Sequence, residues 1–374
     1  MDNVINCKKI YSIATDPIYI GTGGYTIGRV DNTIVRDPIT KIPKIPGSSI
    51  AGTWRYYVTL ELIGKVKDYQ PDFSAIKNGR GNSLEEKIKN QNWENGFSEN
   101  NWLGYFGNKI AKITCAGQDN VPIGEIDSPD KTDKDGYTGH CGHCIVCKSF
   151  GYSKKDKSWQ GMLFFSDLNI LFFPLYTRLG VKWISSERIL KEILNIEILI
   201  KGIDKTKTYN GDEKTLNLGW INLNVDGKHN ITEKQLEKIK FDNFELKPED
   251  IIIVLDTIIS QIINSNLEVR TSVSIDPITG AAKEGALFTS EAIPRATIFY
   301  GELRLFNRRF SDKEDLPAPN DIWQALEDTR HYYETLGIGG MTTRGFGRMK
   351  ILSEIKGGDC DGNNNGGEGN GSGN

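Results

Sequence analysis

Apolar side chains recur at every fourth position in one segment of the chain, at Ile50, Trp54, Val58 and Leu62. This spacing places all four on one face of an α-helix, where they can pack against a core. A pair of serines at positions 48 and 49 can cap the first turn of that helix. A buried helix is therefore predicted to begin near residue 48.

The remaining apolar pattern divides into short strand-like runs and longer helix-like stretches. Strands are predicted at residues 7–20, 161–175, 216–225, 267–275, 287–306 and 345–355, and helices at residues 186–194, 248–263 and 320–336. Strands and helices that interleave in this way are typical of an α+β fold, in which helices cover one face of a mainly antiparallel sheet.

Two regions lack a core-like pattern. Residues 64–139 are rich in Lys, Asn, Asp and Gly, which predicts that they belong to a long insertion, at residues 64–160, into a single domain that spans residues 1–356. Residues 357–374 are almost wholly Gly, Asn, Asp, Glu and Ser, and such a tail is predicted to be disordered because it cannot bury enough apolar surface.

A hairpin is predicted at about residues 270–293, where two β-prone segments flank Pro277 and Gly280. Such a protrusion can be a surface hairpin with no role in binding. It can also insert its apolar side chains between the bases of a single strand of RNA.

The composition is that of an ordinary globular protein, with 374 residues, 38% hydrophobic and 25% charged. A net charge of −3 excludes a protein that coats nucleic acid by bulk electrostatics, so any RNA contact must be local. Residues 21–56 carry five basic and two acidic side chains, a net charge of 5 − 2 = +3, and residues 335–353 carry three basic and no acidic ones. No export signal or membrane-spanning stretch is recognisable, which predicts a cytoplasmic protein without a membrane partner.

Cysteine and histidine crowd into one segment, with His140, Cys141, Cys144 and Cys147 as the predicted ligands of a metal. Thiolates separated by two residues converge on a soft cation, and four protein ligands make a structural zinc site. Either His140 or His143 can supply the fourth ligand. Free thiols in a loop, or a redox role, are the alternatives.

Two glycine-rich loops can bring backbone amides close to phosphate, one beginning at Gly21 and one between residues 336 and 348. A nucleotide site is disfavoured, because the first loop lacks the lysine of a phosphate-binding loop and a tight strand-to-helix turn. Alternatively, the second loop is a helix-to-strand connection with no role in binding.

Taken together, these motifs resemble the RAMP superfamily of CRISPR-associated proteins, and within it the Cas7-type backbone subunits of type III effector complexes. The resemblance is carried by segments in the same order along the chain. They are residues 20–23, 30–32, 36–38 and 45–50, the cysteine cluster followed by Ser149-Phe150-Gly151, residues 275–280 and 288–294, and the second glycine loop.

The resemblance implies a modified RNA-recognition-motif (ferredoxin-like) core with a thumb hairpin and a small zinc-stapled subdomain. It also implies a protein that binds crRNA and complementary target RNA, stacks with other copies of itself in a helical filament and contacts other type III subunits. The Cmr type is favoured over the Csm type.

In the same family, an aspartate in the loop after the first strand is associated with metal-dependent cutting of target RNA, and Asp31 stands at the matching position. Glu291 is a second candidate, and magnesium or manganese is the expected divalent cation. The predicted RNA contacts are Gly23, Gly24, Arg29, Arg36, Lys44, Ser48, Ser49, Arg55, Arg270, Gly339, Gly340, Arg344 and Arg348. Lys44 and Arg55 are included because Ala51 replaces a lysine found in many relatives.

Three other functions stay open from the sequence. The chain can be a subunit that positions crRNA without catalysis, or a zinc-stapled protein–protein adaptor with no RNA role. It can also be an endonuclease that matures guide RNA, which would use His229 or His331 for acid–base chemistry.

Overall fold

The computed structural model describes residues 5–23, 30–66, 113–117, 140, 144–154, 157–240, 245–307, 316–353 and 355. The helices are α1 (Gly47–Val66), α2 (Ile145–Phe150), α3 (Glu187–Leu194), α4 (Glu233–Leu236), α5 (Asp256–Ser265), α6 (Pro319–Thr329) and α7 (Tyr332–Thr335). Single 3-10 turns lie at Ile113–Ala116, Glu237–Ile239, Pro248–Asp250 and Thr342–Arg344.

Fifteen strands run through the described part of the chain. They are β1 (Ile5–Ala14), β2 (Lys44–Ile45), β3 (Tyr152–Lys154), β4 (Lys157–Trp159), β5 (Leu163–Phe165), β6 (Leu168–Thr177), β7 (Gly180–Ser186), β8 (Lys205–Thr208), β9 (Thr215–Leu218), β10 (Ile221–Lys228), β11 (Ile251–Val254), β12 (Glu268–Ile275), β13 (Ala282–Ala292), β14 (Ile298–Phe306) and β15 (Met349–Ile351).

Most strands join one sheet, in the order β15-β1-β14-β6-β7-β11-β8-β10-β9. Pairing is antiparallel except for β7 with β11 and β8 with β10. Strand β1 lies between β14 and β15, so the first strand of the chain sits inside the sheet beside two of the last ones. The mixed α and β architecture with a large, mainly antiparallel sheet confirms the predicted fold class at that level.

Helix α1 carries the predicted apolar face into the core, where Ile50, Trp54, Val58 and Leu62 are all buried. The indole N–H of Trp54 donates to the carbonyl oxygen of Leu326 at 3.2 Å, so the ring is buried without an unsatisfied donor. Helix α1 thereby docks on α6 and holds the loop before it against the sheet.

One predicted helix is wrong at its start. Residues 248–263 were expected to form a single helix, but Ile251–Val254 form β11 and the helix α5 begins only at Asp256. All four residues of β11 are buried in the middle of the sheet and all are β-branched, which favours a strand over a helix.

The predicted strand at residues 287–306 is two strands, β13 and β14, because Pro294 interrupts the ladder between them. The predicted strand at 216–225 is likewise two, β9 and β10, which turn at Gly219 with φ of +65°. Strand β1 ends at Ala14 rather than at residue 20.

Strands β12 and β13 form a separate two-stranded sheet with an antiparallel register from Glu268↔Ala292 to Val273↔Leu287 and on to the turn. The turn is stabilised by Asp276, whose Oδ1 accepts hydrogen bonds from the backbone N–H groups of Ile278 and Thr279. The hairpin therefore stands where the sequence predicts one.

Parts of the predicted insertion belong to the core. Cys115 is buried against α1, although residues 64–139 were expected to lie outside the core, and helix α2 is buried there as well. Residues 67–112 and the tail from 356 onward lie outside the described residues. Among the described helices, none combines the length and apolarity needed to cross a membrane.

Candidate functional site

The loop that carries Asp31 runs along the free edge of β13, at the base of the hairpin. Oδ2 of Asp31 accepts a hydrogen bond from the backbone N–H of Thr289 at 2.7 Å and another from its hydroxyl at 2.9 Å. The backbone N–H of Asp31 donates back to the same hydroxyl at 3.1 Å. Asp31 and Thr289 are 258 residues apart in the chain, so only the fold brings them together.

These bonds lower the pKa of Asp31, the backbone N–H of Thr289 contributing most and its hydroxyl next. The side chain is exposed, and Oδ1 accepts no hydrogen bond from any other described residue. Asp31 therefore presents a negatively charged carboxylate at neutral pH, and no other described residue engages its Oδ1. Such an oxygen can accept a hydrogen bond or bind a hard cation.

Glu291, the second candidate for catalysis, is buried and fully engaged. Its Oε1 accepts from Nη1 of Arg36 at 2.7 Å and from the backbone N–H of Ile34 at 2.9 Å, and its Oε2 accepts from Nη2 of Arg36 at 2.8 Å. Arg36 also donates to the side chain of Asn264 at 2.8 Å. This bidentate pair pins the Asp31 loop to β13 and leaves Glu291 no oxygen free for substrate.

The N-terminus of α1, where Ser48 and Ser49 are predicted RNA contacts, is occupied by the side chain of Asp167. Its Oδ1 accepts from the backbone N–H of Gly47 at 2.8 Å, and its Oδ2 lies 2.6 Å from Nζ of Lys44. The ion pair raises the pKa of Lys44, which Asp37 also contacts. Ser48 is exposed and Ser49 is half-buried in the first turn of α1, where this carboxylate already engages the N–H of Gly47.

Arg55 points into the interior rather than towards the loop. Its Nε donates to the carbonyl oxygen of Cys115 at 2.6 Å, and its Nη2 lies 3.0 Å from Nδ1 of His140. Arginine can only donate, so Nδ1 of His140 is the acceptor. A neutral imidazole with this bond carries its proton on Nε2 and has no second lone pair for a metal.

The sulfur atoms of Cys115, Cys144 and Cys147 all lie within 4.8 Å of one another, and this buried group could hold a metal ion. Two of the three were predicted ligands. Sequence reasoning missed Cys115, because it lies far from the closely spaced cysteines and shows no pattern with them. His140 is buried but outside the group, and Cys141 lies outside the described residues.

The second glycine loop packs closely on the segment that follows β1. The backbone N–H of Gly340 donates to the carbonyl oxygen of Tyr19 at 3.0 Å, and a side chain at Gly339 would collide with that oxygen at 2.3 Å. Gly339 has φ of +81°, which also favours glycine. Both glycines thus serve a close backbone contact within the fold.

The basic side chains near this loop that are predicted to contact RNA differ in whether they are paired within the fold. Arg270 pairs with Glu268 at 2.6 Å and lies over the ring of Phe346, and Arg348 pairs with Asp16. Arg344 is exposed and forms no ion pair with any described residue. Gly23 has φ of +80° with open space around it, whereas Gly24 and Arg29 lie outside the described residues.

The two histidines considered for guide maturation are placed differently. His229 is buried, with Nε2 3.0 Å from the carbonyl oxygen of Ile251, and burial lowers its pKa. His331 is exposed on the surface at the start of α7, with Nδ1 2.8 Å from the carbonyl oxygen of Asp328. Neither forms a hydrogen bond with the described residues of the Asp31 loop.

Comparison with known proteins defines the class of this chain. The family model of the RAMP superfamily matches residues 13–350, so the chain belongs to the RAMP superfamily.

The fold is similar to that of a chain in the Type III-B Cmr-beta complex, solved in the apo state and bound to cognate target RNA. Each comparison has a TM-score of 0.50 at 14% identity, covering 94% and 93% of this chain and 98% of the other.

Curated relatives match over shorter segments. The chain is 52% identical over 76 residues to "CRISPR system Cms endoribonuclease Csm3" of Enterococcus italicus, which is 19% of this chain and 36% of that protein. It is 58% identical over 36 residues to the Methanothermobacter thermautotrophicus protein of the same name, which is 10% of this chain and 15% of the relative. The matched segments thus span much less than two thirds of these relatives.

Proposed function

We propose that this chain is a Cas7-type backbone subunit of a type III CRISPR effector complex, which holds crRNA and cleaves the paired target RNA through Asp31. The proposal rests on family membership together with one geometric observation. A charged carboxylate, with one oxygen that no other described residue engages, is fixed at the base of a protruding hairpin.

Asp31 acts as a ligand rather than as a proton carrier. Because its pKa is lowered, the carboxylate stays ionised and is a weak base. Its Oδ1 can accept a hydrogen bond from the attacking 2′-hydroxyl of the target, or hold magnesium or manganese beside the scissile phosphate. Magnesium binds through one or two carboxylates plus phosphate oxygens and water, so a single carboxylate fits that donor set.

A bound divalent cation would neutralise the charge that develops on the phosphate. In the cleavage step the 2′-oxygen forms a bond to phosphorus, and the bond from phosphorus to the 5′-oxygen breaks. The 2′-hydroxyl proton passes to water, and the leaving 5′-oxygen takes a proton from water. The products are a 2′,3′-cyclic phosphate and a 5′-hydroxyl end.

RNA contacts are divided between free and structural groups. We assign Arg344 and the open turn at Gly23 to direct contact with RNA, and keep Gly24, Arg29, Ser48 and Ser49 as candidates. The other predicted basic contacts instead bind partners within the fold, where they hold the loops proposed to face RNA in position. They are Arg36, Lys44, Arg55, Arg270 and Arg348.

The metal proposed for the cysteine group is structural zinc, held by Cys115, Cys144 and Cys147. Three thiolates suit zinc, and a fourth protein ligand would close the tetrahedron. His140 is unsuitable in the orientation that Arg55 enforces, so we place the fourth ligand at Cys141 or His143.

Assembly follows from the same proposal. Copies of the chain would stack in a helical filament along crRNA and contact other type III subunits in the cytoplasm. The core would be ferredoxin-like, built from β1, α1, β6, β14, α6 and β15, whose strands are neighbours in the order β15-β1-β14-β6. The relatives named Csm3 and the Cmr folds point to different subtypes, so the proposal leaves Cmr and Csm open.

The direct test is target cleavage by the assembled complex with Asp31→Ala. Intact assembly and target binding with cutting lost would support the proposal, whereas cutting at the normal rate would show a subunit that only positions RNA. Asp226→Ala is the matched control, because Asp226 is an exposed aspartate on β10 whose removal should leave cutting unchanged.

A second measurement tests the RNA role itself. The purified complex should carry nucleic acid that RNase removes, as judged by the ratio of absorbance at the nucleic-acid and protein maxima. Absence of RNA from the assembled complex would favour a zinc-stapled adaptor instead.

A further inference from the structure

The base of the hairpin is hydrogen-bonded to the Asp31 loop as if the loop were a third strand. The backbone N–H of Asn32 donates to the carbonyl oxygen of Thr289 at 3.0 Å, and the backbone N–H of Glu291 donates to the carbonyl oxygen of Asn32 at 3.1 Å. Next along this edge, the N–H of Thr289 has no backbone acceptor and donates to the carboxylate of Asp31. The carboxylate thus takes the place of a carbonyl oxygen in the ladder.

The hydroxyl of Thr289 fixes the orientation of this carboxylate. It donates to Oδ2 of Asp31 and accepts from the backbone N–H of the same residue, which closes a small ring of hydrogen bonds around one side chain. Rotation about the side-chain bonds of Asp31 would break at least two of these bonds. Oδ2 is therefore held against β13, while Oδ1 accepts no hydrogen bond from another described residue on this exposed side chain.

The opposite face of the hairpin is also anchored. Arg270 neighbours Thr271, the cross-strand partner of Thr289, and points to the other face of the two-stranded sheet. Its Nη1 donates to the carbonyl oxygen of Gly345 at 3.1 Å, and its guanidinium lies 4.6 Å from the centre of the Phe346 ring. The hairpin base is clamped between the Asp31 loop and the second glycine loop.

We propose that Thr289 is a positioning residue for Asp31, and that its hydroxyl locks the carboxylate to the hairpin so that both meet the RNA as one rigid unit. This inference rests on the proposed role of Asp31 in cleavage. In such a unit, Oδ1 of Asp31 keeps a fixed distance from the RNA that the hairpin engages. Misplacement of a reacting group by about 1 Å can cost a large part of the rate.

The test replaces the hydroxyl without changing the shape of the side chain. Thr289→Val in the assembled complex should slow single-turnover cutting at saturating target by about 10-fold or more, because the carboxylate can rotate. The target concentration for half-maximal rate should not change, since Thr289 itself need not touch RNA. Thr289→Ser retains the hydroxyl and should cut within about 2-fold of the unmodified complex.

Thr271→Val is the matched control, because Thr271 lies opposite Thr289 on the same face of the hairpin and is exposed. Its cutting rate should be unchanged. If Thr289→Val does not assemble, Thr289→Ala serves the same comparison with Thr289→Ser.

A measurement independent of cutting follows the carboxylate directly. In the isolated chain, the pKa of Asp31, read from its carboxyl carbon resonance, should rise in Thr289→Val towards the ordinary value of an aspartate and stay low in Thr289→Ser. The hydroxyl is the second largest cause of the lowered pKa, so part of the depression should remain.

The outcomes separate the two proposals. Loss of cutting in Asp31→Asn with normal cutting in Thr289→Val would overturn the positioning role alone. Equal slowing in the Val and Ser variants would also overturn it, because packing rather than the hydroxyl would then matter. Normal cutting in Asp31→Asn would overturn the proposed cleavage role, and with it the role of Thr289 in cutting.

Discussion

Arg36 and Glu291 are the residues whose structural setting departs most from the role expected of them. Both stand in segments that resemble an RNA-cleaving family, and a basic and an acidic side chain there suggested contact with phosphate and with the reacting atoms. The fold instead joins them in a bidentate ion pair, with side-chain exposures of 26% and 9%. Their charges hold the Asp31 loop to β13.

Breaking this pair should destabilise the protein. Glu291→Gln leaves the largely buried guanidinium of Arg36 without its counter-charge, so the free energy of unfolding in urea should fall by about 3 kcal/mol. Glu302→Gln is the control, because its pair with Arg304 is exposed and should contribute less than about 1 kcal/mol. Equal, small losses in both variants would contradict the structural role of Glu291.

Arg344 illustrates the opposite case, a predicted RNA contact whose charge no described residue neutralises. Arg344→Ala should weaken crRNA binding and reduce the slope of log affinity against log salt concentration by about 0.7, the value for one phosphate contact on a single strand. Filter binding across a salt series measures both. Arg304→Ala should leave the slope unchanged, since Glu302 already engages that side chain, and an unchanged slope in Arg344→Ala would remove Arg344 from the interface.

Among the elements, those with a strong local pattern were predicted well. Helix α1 shows the period expected of it, and its apolar residues are buried as predicted. The stretch at 251–254 was assigned to a helix because a continuous apolar run has no period, and only its place in the middle of the sheet makes it a strand. Similarly, Pro294 separates two strands that composition alone had merged.

The candidate site depends on contacts that no local pattern can show. Asp31 and Thr289 meet across 258 residues, and Arg36 meets Glu291 across 255. Family resemblance placed Asp31 in a functional loop, but nothing in the sequence near Thr289 marks it as a partner. Cys115 was not predicted as a metal ligand for the same reason, since ligands from distant segments converge only in the fold.

Helix α2 and the turn at Ile113–Ala116 should be held together by the metal. Cys115→Ala and Cys144→Ala should both lose zinc, while His140→Ala should keep about one zinc per chain, because a closed structural site uses four ligands and His140 lies outside the cysteine group. Zinc content by plasma mass spectrometry measures this. Full zinc in Cys115→Ala, or its loss in His140→Ala, would contradict the ligand set.

At the scale of the whole molecule, the hairpin and two loops surround one exposed carboxylate. Apolar side chains continue outward from this base, including Val273, Leu287 and Ile275, and Ile278 at the turn is 93% exposed. Because Val273 and Leu287 share a face with Thr289, the face of the hairpin that carries the Thr289 side chain becomes apolar towards the tip. Such a surface is suited to stacking against bases.

The tip should therefore displace a base of the guide–target duplex. With 2-aminopurine at the displaced position of the target, fluorescence should rise on binding to the unmodified complex and rise much less with Ile278→Ser, because the apolar contact that replaces base stacking is lost. Ile203→Ser removes a similarly exposed isoleucine elsewhere and should behave as the unmodified complex. A full rise in Ile278→Ser would exclude this role for the tip.

Cleavage at Asp31 is the central claim, and the most direct measurement is the single-turnover cutting rate of complexes that contain Asp31→Asn. Asparagine keeps the size of the side chain but removes the charge, so crRNA loading and target affinity should be retained while the rate falls by at least about 100-fold at saturating magnesium or manganese. A rate within about 2-fold of the unmodified complex, with the same cut positions, would contradict the account.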